Sequence, residues 1–400
     1  MGKIPFWKIK RELKRLRPAA KNISSEMFRK LYFRRYYDLV TKKKIRLTIG
    51  SNPLYREAAI NLIYPETGIQ ESHLFMLREM QREGISAIVV SNLPLSDKDR
   101  KCLETITALI IERPNVGYDF GGYRDGILEI VENLSALDRL WLLNDSVWMV
   151  PRRNSWFAQA RALNLDFTGA TSSFSISRKS LHKKKRAEAA DYRQIDWQHQ
   201  PGNSNFHYGS YAMCFGKEIL QDYKFIDFWR RLEIRNDKKI TVQRGEIGIT
   251  QWVMRNGYTH GATHEIDKLP QELETLDDAT LEQTTRELTL FKNCSLTAIK
   301  PKVLQTDLTK MGGRAESIGL ILTAVAQQGS AYALALYYLR HTNFPFIKKS
   351  ILWLSADGTK SILNAIEETS TGVTDHVLAE ARQISERRLP SHTASTNPAY

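Results

Sequence analysis

Two short stretches of the chain combine residue types that can bind and transform a phosphorylated ligand. The first covers residues 113–126 and contains Asn115, Gly117, Asp119, Gly121, Gly122 and Asp125, and the second is Asn144-Asp145-Ser146. Glycines at a strand-to-helix turn let backbone N–H groups approach a phosphate or sugar, and a helix N-terminus favours anionic groups. A carboxylate at the end of the next strand lies at the carboxyl edge of the sheet, where open α/β folds bind ligands. The two stretches therefore predict a phosphate-tolerant turn and an acid that face one crevice.

The patterns around these stretches predict the elements that would position them. An apolar run at residues 108–111 precedes the glycine-rich stretch, an amphipathic helical pattern follows it, and a second apolar run at residues 140–143 leads into Asn144. Strand and helix patterns alternate over residues 58–257, which predicts an α/β fold, a Rossmann-like mixed sheet with flanking helices. Each of the two stretches would then follow a strand of that sheet.

The remainder of the chain divides by composition and pattern. We predict a basic arm at residues 1–50, an α/β domain with the site at 51–268, a helical region at 269–388 and a disordered tail at 389–400. Residues 318–339 carry no charge, but Gln327-Gln-Gly-Ser330 interrupts them, which favours two short helices over a membrane span. Residues 171–206 are largely polar and are either a lid over the site or an inert insert.

The net charge of +14 is concentrated near the N-terminus. Between Lys3 and Arg46 there are sixteen Lys or Arg residues against three acidic ones, with aromatic and aliphatic residues among them. This pattern suits an anionic membrane surface, which contributes about 1 kcal/mol per basic residue near it. A solvated basic helix packed on the domain is the alternative. A nucleic-acid partner is not expected, because no nucleic-acid-binding motif accompanies the charge. The three cysteines form no metal or disulfide pattern, which fits a reducing cytoplasm.

At this point a family resemblance is visible. The pattern Asn115-x-Gly117-x-Asp119-Phe-Gly121, followed by Leu-Asn144-Asp145-Ser146, resembles the rhamnan synthesis protein F family and, more broadly, nucleotide-sugar glycosyltransferases of the GT-A fold. Other segments agree with the family in the same order, and they lie at residues 59–64, 90–95, 209–213, 244–250 and 344–348. The resemblance covers residues 55–350.

The resemblance implies a GT-A-like inverting glycosyltransferase of polysaccharide biosynthesis. The family name implies rhamnose as the sugar, with dTDP-rhamnose as donor and a growing cell-surface polysaccharide or lipid-linked glycan as acceptor. Residues 1–46 would hold the protein on the inner face of the cell membrane. Two rivals stay open: a non-catalytic assembly partner with a degenerate GT-A fold, and a basic nucleic-acid-binding protein.

The resemblance also assigns a role to the strand-end triplet. In GT-A enzymes this triplet is commonly Asp-x-Asp, and it meets the ribose and a divalent metal that bridges the diphosphate. Here only Asp145 is acidic, between Asn144 and Ser146, so a Mg²⁺ or Mn²⁺ site at Asp145 lacks its second carboxylate. The alternative is that Asp145 and Ser146 cap the loop that follows.

Further roles follow from the resemblance and from residue chemistry. Glu246 is predicted to be the general base that takes the acceptor proton, or else an acid that offsets the dipole of a helix beginning there. Asp119 either bonds a sugar hydroxyl or caps a helix that begins near Phe120. Asn115 and Asp125 are turn residues with possible donor contacts. The remaining candidates are acceptor contacts at His207 and Tyr208, a late metal ligand at His260 or His264, and diphosphate contacts at Arg113, Arg152, Arg153 and Arg244. Phe344–Lys348 is interpreted as a packing element without chemistry.

Overall fold

The computed structural model describes residues 36–173, 204–291, 294–310, 312–354, 356–369 and 374–388. Most of the basic arm and most of the segment at 171–206 lie outside these residues, as does the tail at 389–400. The predictions of membrane contact, of a lid and of a disordered tail therefore concern residues that the structure does not describe.

The described residues form eleven strands: β1 (Arg46–Ile49), β2 (Glu57–Ile63), β3 (Ser86–Ser91), β4 (Leu109–Glu112), β5 (Arg139–Asn144), β6 (Val147–Met149), β7 (Phe167–Ser173), β8 (His207–Tyr208), β9 (Ala212–Gly216), β10 (His260–His264) and β11 (Phe346–Lys348). Nine of them make one sheet in the order β1-β4-β3-β2-β5-β9-β7-β10, with β8 paired to β7, and β6 pairs with β11 separately. Strands β4, β3, β2 and β5 are mutually parallel, whereas β9 runs antiparallel to both β5 and β7. The predicted mixed α/β class is confirmed.

Helices flank the sheet and continue beyond it. They are α1 (Glu71–Arg82), α2 (Asp97–Glu104), α3 (Tyr118–Glu129), α4 (Trp156–Leu163), α5 (Lys217–Gln221), α6 (Tyr223–Arg231), α7 (Lys238–Thr241), α8 (Ile247–Arg255), α9 (Leu269–Thr275), α10 (Asp278–Glu287), α11 (Cys294–Leu304), α12 (Gly313–Gln328), α13 (Ser330–Ala333), α14 (Ala335–His341), α15 (Ile351–Leu354), α16 (Ala356–Thr369) and α17 (Asp375–Arg388). The uncharged segment at 318–339 is broken at Gly329, as predicted. Across the described ranges, no helix has the length and apolar character that a membrane crossing requires.

The predicted boundary at residue 50 falls inside the folded domain. Strand β1, which the sequence did not predict, pairs antiparallel with β4 at the sheet edge. Just before it, the Tyr37 side chain is 3% exposed, and Asp38 forms an ion pair with Arg124 at 2.8 Å. The end of the basic arm is therefore part of the fold.

The helical region at 269–388 shares its packing with the sheet domain. Strand β11 pairs with β6, which directly follows the Asn-Asp-Ser triplet, and the two place Lys348 opposite Val147. Beside this pair, the Phe346 ring packs edge-on against Trp156 with centroids 5.4 Å apart. Pairing and ring packing together fix the residues after Phe346 beside the tip of β5.

Candidate active site

The tip of β5 joins the two stretches that the sequence singled out. Asn144, which is 1% exposed, ends the strand, and its Oδ1 accepts hydrogen bonds from the Ser146 N–H at 3.1 Å and the Ser146 hydroxyl at 2.5 Å. The Asn144 amide nitrogen donates to Asp119 Oδ2 at 3.0 Å. The glycine-rich stretch and the triplet therefore meet directly, through Asp119 and Asn144.

The glycines of the turn allow close packing around the start of α3. Gly117 precedes α3 with φ at +86°, and its N–H donates to Asn236 Oδ1 at 2.9 Å. A Cβ on Gly121 would lie 2.2 Å from a backbone oxygen of the preceding turn, and one on Gly122 would lie 2.4 Å from Leu62 Cδ1. These glycines let α3 lie close to its own turn and to β2, and the donor contacts expected of them stay a prediction.

Asp119 occupies the first turn of α3 without capping it. The helix begins at Tyr118, and the capping position is Gly117. Burial raises the pKa of Asp119 to about 6; the positive charge of Lys348 opposes this rise, and the negative charges of Glu246 and Asp145 add to it. A carboxyl group in this range changes charge close to physiological pH, as groups at functional sites often do.

Asp145 has its partners on the other side of the tip. Its Oδ2 accepts from the Tyr64 N–H at 2.6 Å and lies 3.4 Å from His73 Nε2. The Gln70 N–H donates to His73 Nδ1 at 3.1 Å, so a neutral His73 carries its proton on Nε2, toward Asp145. Burial opposes the charge on Asp145, but His73, the Lys349 ammonium and the Tyr64 amide outweigh burial and hold the pKa of Asp145 below its usual value.

Glu246 lies inside a helical segment and not at its start, contrary to the expectation. It ends a π-helical turn, Val242–Glu246, that joins α7 to α8 without a break. Compensation of a helix dipole at a first turn therefore does not explain it, and π turns within helices are frequent at functional sites. Glu246 Oε1 accepts from the Ser210 N–H at 2.8 Å, while Oε2 lies 3.9 Å from His207 Nε2, beyond hydrogen-bond distance.

Lys348 is the site residue that sequence reasoning missed. It belongs to the element interpreted as packing alone, yet its ammonium donates to Ser146 Oγ at 3.3 Å and lies 3.9 Å from the centroid of the Tyr211 ring. Its charge also acts on Asp119. The available signal was a lysine pair, Lys348-Lys349, directly after an apolar run in a family-matched segment.

Arg113 and Asp125 are enclosed in a buried network, which corrects the donor contacts expected of them. Both side chains are 0% exposed, and Arg113 Nε bonds Asp125 Oδ2 at 2.6 Å. The same guanidinium donates to Asn92 Oδ1 at 2.6 Å and to the Tyr37 hydroxyl at 2.7 Å. These residues anchor the end of the basic arm to the glycine-rich turn.

Two other arginines are also engaged in the fold. Arg244 forms an ion pair with Glu233. Arg152 donates to the Leu339 carbonyl at 3.0 Å, at the end of α14. The diphosphate contacts predicted for Arg152 and Arg244 would require these partners to be exchanged.

The remaining candidates are spread around the site. Tyr208 is 3% exposed, and its hydroxyl contacts His260 Nδ1 at 2.7 Å. Burial, with a smaller effect of Arg152, lowers the pKa of His264 to about 4, and its ring packs on Phe344. Asn115 is exposed on the turn before α3.

The side chains of the Asn144-Asp145-Ser146 triplet do not form a site in which the protein alone would hold a metal ion. In the part of the chain that the structure describes, no group of three or more His, Cys, Asp or Glu side chains is placed to hold a metal ion. Asn144 Oδ1 is used by Ser146, and Asp145 Oδ2 is used by Tyr64 and faces His73. We therefore derive no step through a metal bound at Asp145.

Comparisons with known proteins include a match over most of the chain. The family model described as rhamnan synthesis protein F matches residues 87–377. An uncharacterized protein of Sinorhizobium fredii (strain NBRC 101917 / NGR234), y4gN, is 32% identical over 216 residues, which cover 54% of this chain and 50% of that protein. The chain thus spans about half the length of this curated relative.

Among solved structures, the chain is similar to core-mannan synthase A (CmsA/Ktr4) from Aspergillus fumigatus in its Mn/GDP form. The alignment covers 46% of this chain and 68% of that one, with 9% identity and a TM-score of 0.23. A similarity at this level carries no argument about the present site.

Proposed function

The chain belongs to the rhamnan synthesis protein F family, and on that premise we propose that it is an inverting, GT-A-like glycosyltransferase of polysaccharide biosynthesis. It transfers a sugar from a nucleotide-diphosphate donor to a growing polysaccharide or a lipid-linked glycan. The family description favours rhamnose, and hence dTDP-rhamnose, as the donor. Family membership supports a role in polysaccharide biosynthesis, while the proposed transfer reaction rests on the residues of the site.

One observation carries the proposal: the Asn144–Asp119 hydrogen bond joins two elements at the carboxyl edge of the sheet, where the charges of two further site residues act. The bond joins the tip of β5 to the start of α3. The charges of Glu246 and Lys348 both act on Asp119, so the two side chains lie within electrostatic reach of it. The carboxyl edge of the sheet, where ligands bind in open α/β folds, therefore carries three charged groups. They are the Glu246 carboxylate, the Lys348 ammonium and the Asp119 carboxyl with its raised pKa.

The proposed reaction assigns one step to each group. Glu246 Oε2 takes the proton of the acceptor hydroxyl as that oxygen attacks the anomeric carbon. The bond between the anomeric carbon and the diphosphate oxygen breaks, and the diphosphate leaves with the electron pair. Lys348 neutralises the charge that develops on the leaving oxygen. Asp119, held by Asn144, accepts hydrogen bonds from hydroxyl groups of the donor.

The contact of Glu246 with Ser210 orients this base. The Ser210 N–H fixes Oε1, and the Ser210 carbonyl accepts from the Tyr123 hydroxyl at 2.8 Å. Tyr123 is fully buried on α3, so the base is tied to the helix that carries Asp119. Such support by buried neighbours keeps a catalytic group in one geometry.

The experiment is a thermal-shift panel of nucleotide-sugars, each with and without Mn²⁺, followed by a transfer assay with the stabilising donor. A donor at a hundredfold its dissociation constant adds about 2.7 kcal/mol to the free energy of unfolding. We expect dTDP-rhamnose to stabilise the protein and to be turned over. Binding without transfer or donor hydrolysis would instead indicate the non-catalytic assembly partner. Absence of any nucleotide-sugar binding contradicts the proposal.

We also propose that the basic arm holds the enzyme at the inner membrane surface. Tyr37, Asp38 and β1 belong to the fold, so the arm should be removed only up to residue 35. This truncation is expected to abolish cosedimentation with vesicles that contain phosphatidylglycerol and to leave transfer to a soluble acceptor intact. Equal vesicle binding by the truncated and full chains contradicts the membrane role.

A further inference from the structure

The face of Asp145 that is turned away from Asp119 borders a cavity, which we call the Asp145 pocket. It has a volume of about 180 Å³ and lies between the loop after β2 and the C-terminal helices α15 and α17. Its lining includes four polar or charged side chains besides Asp145 and Lys349, and one aromatic ring: Glu66, His73, Glu380, Gln383 and Trp353. Pockets for drug-sized ligands measure about 300–1,000 Å³, so this cavity suits one small ring and not a whole nucleotide-sugar.

The wall formed by α17 is held rigidly by buried polar contacts. Glu380, which is 9% exposed, accepts from Lys349 Nζ at 2.6 Å and from Trp148 Nε1 at 2.9 Å, and it also bonds the Ser72 hydroxyl. These contacts join α17 to α1, to β6 and to the residue after β11. A binding wall fixed in this way requires little ordering when a ligand enters.

The charges around the pocket disfavour a phosphate. Glu66, Asp145 and Glu380 contribute three carboxylates to the lining, and Lys349 is the lysine that accompanies them. Lys349 is already paired with Glu380. The diphosphate of a donor would therefore meet net negative charge here, in contrast to the Lys348 side of the tip. A neutral ligand with many hydroxyl groups meets no such penalty.

One buried donor group is aimed at this space. His73 is 5% exposed and lines the pocket, and its buried Nε2 has only a long contact of 3.4 Å to Asp145 Oδ2. A buried N–H with a poor partner is costly, and a ligand hydroxyl beside this pair could accept from His73 Nε2 and donate to Asp145. The half-buried Trp353 adds an aromatic surface of the kind that packs against a sugar ring.

We propose that the Asp145 pocket binds one neutral sugar residue of the acceptor glycan. This proposal rests on the proposed glycosyltransferase function. It divides the tip of β5 between two ligands: the donor lies on the Asp119 side, and a sugar of the acceptor chain lies on the Asp145 side. Asp145 then acts as a binding residue for the acceptor and not as a metal ligand.

The test compares two pocket variants with one matched control. Trp353→Ala removes the aromatic surface, and Gln383→Ala removes a polar contact while keeping a good helix former in α17. The control, Tyr223→Ala, also removes an aromatic side chain, but this side chain is 73% exposed, lies on α6 and does not line the pocket. We expect each pocket variant to raise KM for the acceptor roughly tenfold, which corresponds to about 1.4 kcal/mol, and to leave KM for the donor unchanged. The control is expected to change neither constant.

A binding measurement distinguishes failure of the pocket proposal from failure of the proposed glycosyltransferase function. Saturation-transfer NMR with methyl α-L-rhamnopyranoside is expected to show binding to the full chain and to Tyr223→Ala, and weaker binding to both pocket variants. If the full chain transfers no sugar but this binding pattern appears, the proposed function fails and the pocket stands. If transfer occurs but the pocket variants change KM for the donor, or neither KM, the pocket proposal is overturned. Gln383→Ala decides the matter if Trp353→Ala does not fold.

Discussion

The two sides of the β5 tip differ although the chain supplies them from neighbouring residues. Asn144 bonds Asp119 on one side, and Asp145 bonds the Tyr64 N–H on the other. The two lysines at the end of β11, Lys348 and Lys349, repeat this division. Lys348 reaches Ser146, whereas Lys349 pairs with Glu380. In each dipeptide the first residue ends a strand and the second begins the turn that follows, and the two residues meet different partners.

The difference shows how burial and partners, and not residue type, set the chemistry of a carboxylate. The pKa of Asp119 is raised to about 6, because burial dominates and Lys348 only partly offsets it. Burial also acts on Asp145, but His73, Lys349 and the Tyr64 amide outweigh it and lower the pKa. Titratable pairs whose environments push their pKa values apart commonly divide the roles within an active site. We assign chemistry to the Asp119 side and binding to the Asp145 side.

The largest effect is expected from Glu246→Gln, which tests whether the Asp119 side is the reactive one. This change keeps the shape and the Ser210 contact but removes the base, so turnover is expected to fall by about 10²–10⁴-fold with little change in donor affinity. Because the base must be deprotonated to act, the acidic limb of the pH–rate profile should also disappear. Steady-state kinetics check this, with the exposed Glu132→Gln as control. Near-normal turnover would mean that the base lies elsewhere, first at Asp119.

The next effect concerns stability on the other side of the tip. Lys349→Met leaves Glu380 charged and buried, so the free energy of unfolding is expected to fall by about 3–5 kcal/mol. Urea denaturation measures this loss. The double variant Lys349→Met with Glu380→Gln is the control, and it should recover part of the stability because no unpaired charge remains. A single variant as stable as the unchanged chain contradicts the division of roles.

Lys348→Met is expected to show the opposite behaviour to Lys349→Met. Removing the cation that acts on Asp119 should lower turnover by about 10²–10³-fold, as the loss of one preorganised stabilising group does in other enzymes. The free energy of unfolding should fall less than in Lys349→Met, because Lys348 contacts a hydroxyl and a ring and acts on Asp119 through its charge, whereas Lys349 is paired directly with a buried carboxylate. Kinetics and urea denaturation on the same samples provide the check, with Lys348→Arg as a conservative control. Equal losses of activity in both lysine variants would remove the distinction.

The smallest effect tests the raised pKa of Asp119 through stability. A carboxyl whose pKa is higher in the folded than in the unfolded state binds more protons when folded, so its cost appears as pH rises from about 4 to 6 and is complete above that range. Asp119→Asn should therefore stabilise the protein by about 2 kcal/mol at pH 8 and have no such effect below pH 4. Urea denaturation at the two pH values measures it, with the exposed Asp227→Asn as control. A gain that is equal at both pH values would show that charge is not its cause.

Much of this arrangement was predictable from local sequence signals. The apolar runs that became β4 and β5 and the glycines at the turn between them predicted one βαβ unit, and that unit is present. The interruption at Gly329 predicted short helices, which are also present. Local patterns succeed here because burial on both faces of a parallel strand requires a continuous apolar run, and such a run is legible in the sequence.

The roles of single residues were less predictable. Arg113 was a candidate for the diphosphate and Asp125 was either a turn residue or a donor contact, but a partner some 76 residues upstream of Arg113, Tyr37, helps to enclose them. Glu246 looked like the start of a helix because Gly245 precedes it. The π turn keeps the helix continuous through that glycine, whose added Cβ would lie 2.4 Å from the Phe120 ring. Such contacts join residues far apart in sequence and leave no local trace.

The sequence by itself determined the α/β class, the family and the meeting of the glycine-rich turn with the Asn-Asp-Ser tip, because all three follow from local patterns and from the carboxyl edge that parallel strands share. Only the tertiary structure decided which charges surround that tip. Lys348 and Lys349 lie more than two hundred residues after Asn144 and Asp145 in the sequence, and the pairing of β11 with β6 brings them to the tip of β5. Burial acts on the pKa values of both Asp119 and Asp145, and the position of each lysine in space, rather than in sequence, modifies those pKa values.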